Sequence, residues 1–282
     1  MFAGALGYLF SLLIVNNGVV GLAIALIIAA VAALSSYFAG DRLVLRASRA
    51  RPVTHEEEPR LHNIVEGLAL AAGLPKPAVY VVEEKAPNAF ATGRDPEHSS
   101  VAVTRGLLDT MNRVELEGVI GHEMSHIRDR DILLGTVVAA LVGAVVLLSE
   151  FMLRWLWWGG GRGGRREGDR DGGGFPFLIV IGVVLAILAP FFAQIIKLAV
   201  SRRREYLADA EGAMLTRYPP GLASALRKIA ADTTPMRVAN NATAHLWLNQ
   251  PSRIPGEANH WWENLFSTHP PIRDRIRILE EM

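Results

Sequence analysis

The sequence predicts an α+β protein, mainly helical with a small β-sheet, to which about four transmembrane or hydrophobic helices are joined. Three observations lead there. Half of the 282 residues are hydrophobic, and they are gathered in blocks, unlike those of an ordinary soluble domain. Between the blocks lie polar segments with helical periodicity. Short β-rich runs occur among them without the regular strand–helix alternation of a βαβ fold.

The elements follow in order. Residues 2–15 are apolar but short for a span, and end at Asn16-Asn17-Gly18. They read as a short span, a re-entrant piece or the core of an uncleaved signal. With no small-residue cleavage site they are expected to stay as an anchor. Residues 18–38 carry no charge and suffice to cross about 30 Å of hydrocarbon. Residues 1–40 are therefore an N-terminal membrane anchor of one or two helices. Residues 41–131 form the first part of a domain. Within it, 56–72 has helical spacing and a stop at Gly73-Leu74-Pro75. AVYVV (78–82), NAFAT (88–92) and SSVAVT (99–104) read as strands, the last two joined across Gly93-Arg94-Asp95-Pro96. A helix begins at Asn112, with Glu115 three residues on as in a capping box.

Residues 132–153 and 175–200 are two more apolar segments, the first containing Glu150, the second Pro190, Gln194 and Lys197. Together they make 132–200 a transmembrane hairpin, and its Gly/Arg-rich loop 159–174 reads as a flexible linker. Glu150 sits near the far end of its segment, where its carboxylate can snorkel out of the bilayer. Residues 201–282 complete the domain. They are helical over 203–231 with a break at Pro219-Pro220-Gly221, Pro- and Asn-rich from 235, and helical again over roughly 270–281.

Arg42, Arg46, Arg49 and Arg51 follow the second apolar segment, and Arg202, Arg203 and Arg204 follow the fourth. By the positive-inside rule both flanks are cytoplasmic. The hairpin loop, on the opposite face, is mildly basic, which conflicts with the simple rule; Glu167, Asp169 and Asp171 offset its arginines. A formal net charge of +1 gives no field for nucleic acid, and the loop lacks the aromatics and repeats of an RGG segment. No nucleic-acid partner is expected. The chain has no cysteine. That excludes disulfides and thiolate zinc sites, so any metal must be held by His, Asp or Glu.

Placed on a helix, Leu116, Ile120, Met124 and Ile127 share one stripe. His122 and His126 lie together on nearly the opposite side, four residues apart, so one ion can bridge both imidazoles. Glu123 points aside, placed as a general base toward the attacking water. This is the H-E-x-x-H arrangement of zinc peptidases. A catalytic metal needs a third protein ligand and an open position. SRRREYLADAEGA (201–213) offers Glu205 as that ligand, and Asp209 one turn on as an acceptor for the outer nitrogen of a ligating histidine. Beside Arg202–Arg204 the same two acids could instead form surface ion pairs.

GHEMSHIRDRD, SRRREYLADAEGA, PNAFATG (87–93) and STHPPIRDRI (267–276) together resemble the HtpX family of membrane-embedded zinc metalloproteases. That family is a branch of the gluzincins and a relative of the CaaX-processing proteases. The resemblance runs from about residue 50 to the end. It implies a zincin-like fold, one Zn2+ per chain held by His122, His126 and Glu205, Glu123 as catalytic base, and Asp209 bonded behind a ligand. It implies that Asn88, Ala89, Phe90 and Ala91 lie beside the cleft, where an edge strand can pair with an extended peptide. His269 matches the family's HPP motif and is assigned to the oxyanion. Arg275, the trailing arginine, is assigned to substrate, or equally to a buried carboxylate.

The implied partners are polypeptide substrates, membrane proteins among them, and the lipid bilayer. The implied setting is a bacterial or archaeal cell membrane with the catalytic domain cytoplasmic, and the implied task is quality control of misfolded membrane proteins. Two other readings remain open at this point: a CaaX-type processing enzyme, and a non-catalytic membrane scaffold holding a structural zinc. Elsewhere, His55, His62 and His98 are expected at the surface. Met111, Met124 and Met214 are expected in the core. Trp247, Trp261 and Trp262, with His245 and His260 among them, read as packing or interfacial residues.

Overall fold

A computed structural model describes residues 34, 37–138, 202–238, 243, 246–249 and 270–282. The apolar segments 2–15 and 175–200, nearly all of 18–38, most of 132–153 and the loop 159–174 lie outside the described residues. So do Glu150, His245, His260, Trp261, Trp262 and His269. Among the described residues no helix is long and apolar enough to cross a membrane.

After helical residues 37–47, four strands form one sheet: β1 (Ala50–Pro52), β2 (Ala78–Val82), β3 (Ala89–Gly93) and β4 (Ser99–Thr104). Their order is β1-β2-β4-β3, with β2 and β4 parallel and the other two pairings antiparallel. Among the described residues these helices pack with the sheet or on one another: α1 (Pro59–Ala72), α2 (Arg105–Thr110), α3 (Arg113–Arg128), α4 (Arg202–Thr216), α5 (Pro219–Ala231) and α6 (Ile272–Glu280). The α+β, mainly helical reading holds for this part. The three expected strands are present within a residue. β1 and α2 have no counterpart in the sequence reading, because a three-residue Ala-Arg-Pro strand and a six-residue helix are too short to show periodicity.

The strands alternate faces with period two. Val79, Val81, Ala89, Ala91, Val101 and Val103 pack with α1 and α3. Val82, Phe90 and Ala102 face a second cluster with Val44, Leu45, Met236 and Trp247. Phe90 and Trp247 meet edge to face, centroids 4.7 Å apart. Trp247 is fully buried, which is the packing role. Met214 departs from expectation: it is 68% exposed on α4. α4 turns its other face to α3, and methionine type alone does not say which face a residue occupies.

α3 is the central rod. Asn112 accepts from the Glu115 N–H at 3.0 Å, and the Glu115 carboxylate accepts from the Asn112 N–H at 2.8 Å, completing the capping box. Leu116, Ile120, Met124 and Ile127 are all fully buried. Two glycines set the spacing to α4. A Cβ on Gly212 would stand 2.7 Å from the His122 backbone nitrogen, and one on Gly121 would stand 3.1 Å from the Gly212 oxygen. Without side chains there, the two backbones come into close contact at His122.

The chain beyond α3 does not continue as one unbroken helix. α3 stops at Arg128, Arg130 takes φ 60°, and helix resumes over residues 131–138. Ile132 joins the domain core. The Thr136 hydroxyl bonds to the Thr92 hydroxyl at 2.8 Å and accepts from the Gly93 N–H at 3.1 Å. The first turns of the apolar run thus pack on the end of β3.

Candidate metal centre

Four-residue spacing on α3 puts His122 and His126 one turn apart, with their Nε2 atoms 3.1 Å from each other. α4, drawn close by the glycine contact, delivers Glu205. Its carboxylate oxygens lie 3.9 Å from His122 Nε2 and 3.7 Å from His126 Nε2. The three ligand atoms all fall within 4.8 Å of one another. Two nitrogens bound tetrahedrally to zinc at ordinary lengths stand about 3.3 Å apart, so the pair is spaced to share one ion. The donor set of two imidazoles and one carboxylate suits zinc. Each outer nitrogen is engaged: His122 Nδ1 lies 2.9 Å from Asp209 Oδ1, and His126 Nδ1 lies 3.2 Å from Asp131 Oδ2. That leaves both Nε2 atoms facing the point between the rings.

Electrostatics favour a cation at this point. Burial lowers the pKa of His122. Burial also works against charge on His126, but Asp131, Glu205 and Glu123 outweigh it and push that imidazole up to about 9. Glu123, buried between the ligands, is pushed up to about 7. Burial dominates there and Glu205 adds to it, while His126, a hydrogen bond from the Ala91 N–H and Arg275 pull the other way. A carboxyl with that value can exchange protons near neutral pH.

Asp209 and Arg275 form a buried pair behind His122. The Arg275 guanidinium donates to both Asp209 oxygens, at 2.8 and 2.7 Å, and to the Leu248 carbonyl at 3.2 Å. It also stands 3.4 Å from Glu205 Oε2. Burial alone would raise the Asp209 pKa, yet Arg275 and His122 hold it well below the usual carboxylate range. Of the two assignments for Arg275, these contacts are those of the buried carboxylate partner. At 2% exposure the residue offers little face to a substrate.

Asn88, Ala89, Phe90 and Ala91 are all buried, and β3 is the sheet edge beside α3. That edge is not bare. The Ala89 carbonyl accepts from the Leu248 N–H at 2.9 Å. Asn88 exchanges two bonds with the Asn249 backbone, at 2.8 and 3.2 Å. An extended peptide pairing with Ala89 would exchange with residues 248–249. The sequence reading did not anticipate Asp131 as a histidine partner. Five residues beyond His126 on a continuous helix it would sit about 140° away, and only the break after α3 returns it.

A helix bearing H-E-x-x-H, met by a glutamate from a second helix, is the arrangement of a gluzincin-type metallopeptidase. Comparison with known proteins narrows the class. Residues 55–282 match the family described as Peptidase family M48. A protein described as Protease HtpX homolog from Thermoanaerobacter pseudethanolicus is 51% identical over 278 residues, which are 99% of this chain and 90% of that protein. One of the same description from Caldanaerobacter subterraneus is 50% identical, with the same two shares. Another from Tropheryma whipplei is 48% identical over 257 residues, 91% of this chain and 84% of that protein. Among solved structures, S. mikatae Ste24p is similar in fold. Its TM-score is 0.51 at 17% identity, covering 98% of this chain and 62% of that one. The chain belongs to peptidase family M48, and it is a metalloprotease of the HtpX type whose cofactor is zinc.

Proposed function

We propose that this metalloprotease is anchored in a membrane and hydrolyses polypeptides at the cytoplasmic membrane surface, misfolded membrane proteins among them. His122, His126 and Glu205 hold the zinc, which when bound supplies Lewis acidity to the attacking water and the scissile carbonyl. Glu123 takes the water's proton and returns it to the leaving amine. Asp209 fixes the tautomer and orientation of His122, and Arg275 keeps Asp209 ionised and in place. His269 is proposed at the oxyanion, and Asn88–Ala91 as the strand that receives an extended substrate after residues 248–249 yield.

The observation that carries the proteolytic reading is the approach of three ligand atoms from two helices to within 4.8 Å, beside a buried Glu123 tuned toward neutrality. The membrane setting is supported by the uncharged run 18–38 and by the basic residues that follow it and the run 175–200. The deciding experiment is metal analysis of the purified protein together with casein digestion, with and without a chelator. One zinc per chain and chelator-sensitive cleavage are expected. A protein that holds zinc yet leaves casein intact in every condition would favour the scaffold reading.

A further inference from the structure

We infer that Asp131 is a positioning residue for the metal centre: it orients His126, and Arg204 in turn holds Asp131. The inference rests on the metal reading above and extends it to residues outside the ligand set. Asp131 Oδ2 lies 3.2 Å from His126 Nδ1, and Arg204 Nη1 donates to the other oxygen of the same carboxylate at 2.5 Å. Each imidazole therefore has a carboxylate behind it, and each carboxylate has an arginine from a distant element. His122 has Asp209 and Arg275; His126 has Asp131 and Arg204. A carboxylate on the outer nitrogen fixes the tautomer so that Nε2 presents its lone pair, and raises the ligand's basicity.

The backbone is arranged for this contact. On an unbroken helix Asp131 would lie about 7.5 Å further along the axis than His126 and well round from it. Instead α3 stops at Arg128, and Arg130 adopts φ 60°, a conformation unfavourable for a residue with a side chain. The turn brings the Asp131 carboxylate back to the ring one turn earlier. An unfavourable backbone conformation held at such a place is one that its surroundings must favour. Arg204 immediately precedes Glu205, so the Asp131–Arg204 pair also fixes the first turn of α4, from which the third ligand projects. The two arms differ in openness. Asp209 and Arg275 side chains are 2% exposed, whereas Asp131 is 16% and Arg204 40% exposed. The His126 arm can thus be altered with less damage to the core.

The test uses the full-length protein in detergent, as D131A, D131N, R204Q and the double D131A/R204Q. Zinc affinity is read by chelator competition, site geometry by the visible spectrum of the cobalt-loaded protein, and folding by the melting temperature of the metal-free protein. D131A is expected to weaken zinc about 10–100-fold and to shift the cobalt spectrum, with the metal-free melting temperature little changed. D131N keeps an acceptor for the imidazole N–H and should lose less. R204Q should fall between wild type and D131A. The double variant should be no weaker than D131A alone, because Arg204 acts through Asp131. Wild-type affinity and spectrum in D131A would overturn the inference. So would a drop in affinity matched by an equal fall in metal-free stability, or full additivity in the double variant. Should D131A fail to fold, D131N decides through its zinc affinity, an unchanged one counting against. A wild-type protein that binds no zinc would sink the metal reading itself, whereas zinc binding indifferent to residue 131 sinks only this inference.

Discussion

In the proposed mechanism, Glu123 is the side chain that sets the chemistry. Its carboxyl must be ionised to accept a proton, and burial raises it to about 7. A base works only above its own pKa, so activity should fall as pH drops through that value. A bound cation favours the charged form, so the acid limb of kcat/KM should lie at or below about pH 7. A pH–rate profile on a soluble substrate checks this; an acid limb well above 7 would contradict it. Glu123→Gln should keep zinc and lose about 10²–10⁴-fold in kcat, measured by metal analysis beside the assay. The residues that the structure brings together here were largely legible in advance. His122, Glu123 and His126 announce themselves by spacing within a single turn of helix. Glu205 needed a second segment, and Asp131 was hidden because its contact depends on a helix break.

Among the elements, the joint between α3 and α4 decides whether the ligands meet. Gly212→Ala would push a methyl group to within 2.7 Å of the His122 backbone. The helices must part, at a cost of about 1–3 kcal/mol, and Glu205 moves away from the histidines with them. Chemical denaturation and chelator competition should show reduced stability and weaker zinc together. At the other end of α3, Glu115 caps the helix and also takes Ser224 at 2.7 Å and Lys228 at 2.7 Å from α5. Burial opposes its charge, but Lys228, Ser224 and the Asn112 N–H hold its carboxyl below the ordinary 4.5. A depressed carboxyl stabilises the fold at pH above its unfolded value, and that contribution is lost as pH falls through the folded one. Glu115→Gln should therefore lower stability at neutral pH and flatten its decline below about pH 4.5. Equal stability of the two proteins at pH 7 would refute this. The strands and long helices could be read from periodicity; the glycine joint could not, because a glycine within a helix says nothing of what crosses it.

For the whole molecule, the proposed action at a membrane rests in part on the apolar run between the two helices that carry the candidate ligands. Residues 131–138 belong to the domain, with Thr136 bonded to β3, so the exchange must leave them in place. Replacing 139–200 with a soluble linker should preserve casein cleavage and reduce cleavage of a membrane protein embedded in vesicles. Equal rates on the membrane substrate before and after the exchange would count against action at the membrane surface.

The sequence by itself determined the donor set and the family: which residues can ligate a metal, and which family the motifs belong to. It could do so because those signals lie within one or two helical turns, where spacing fixes geometry. Tertiary structure alone decided how the pieces close. It placed Arg275 behind Asp209, laid residues 248–249 along β3, and turned Asp131 back onto His126. Each of those contacts joins residues whose meeting depends on how helices pack and where one of them breaks, and no local periodicity encodes either.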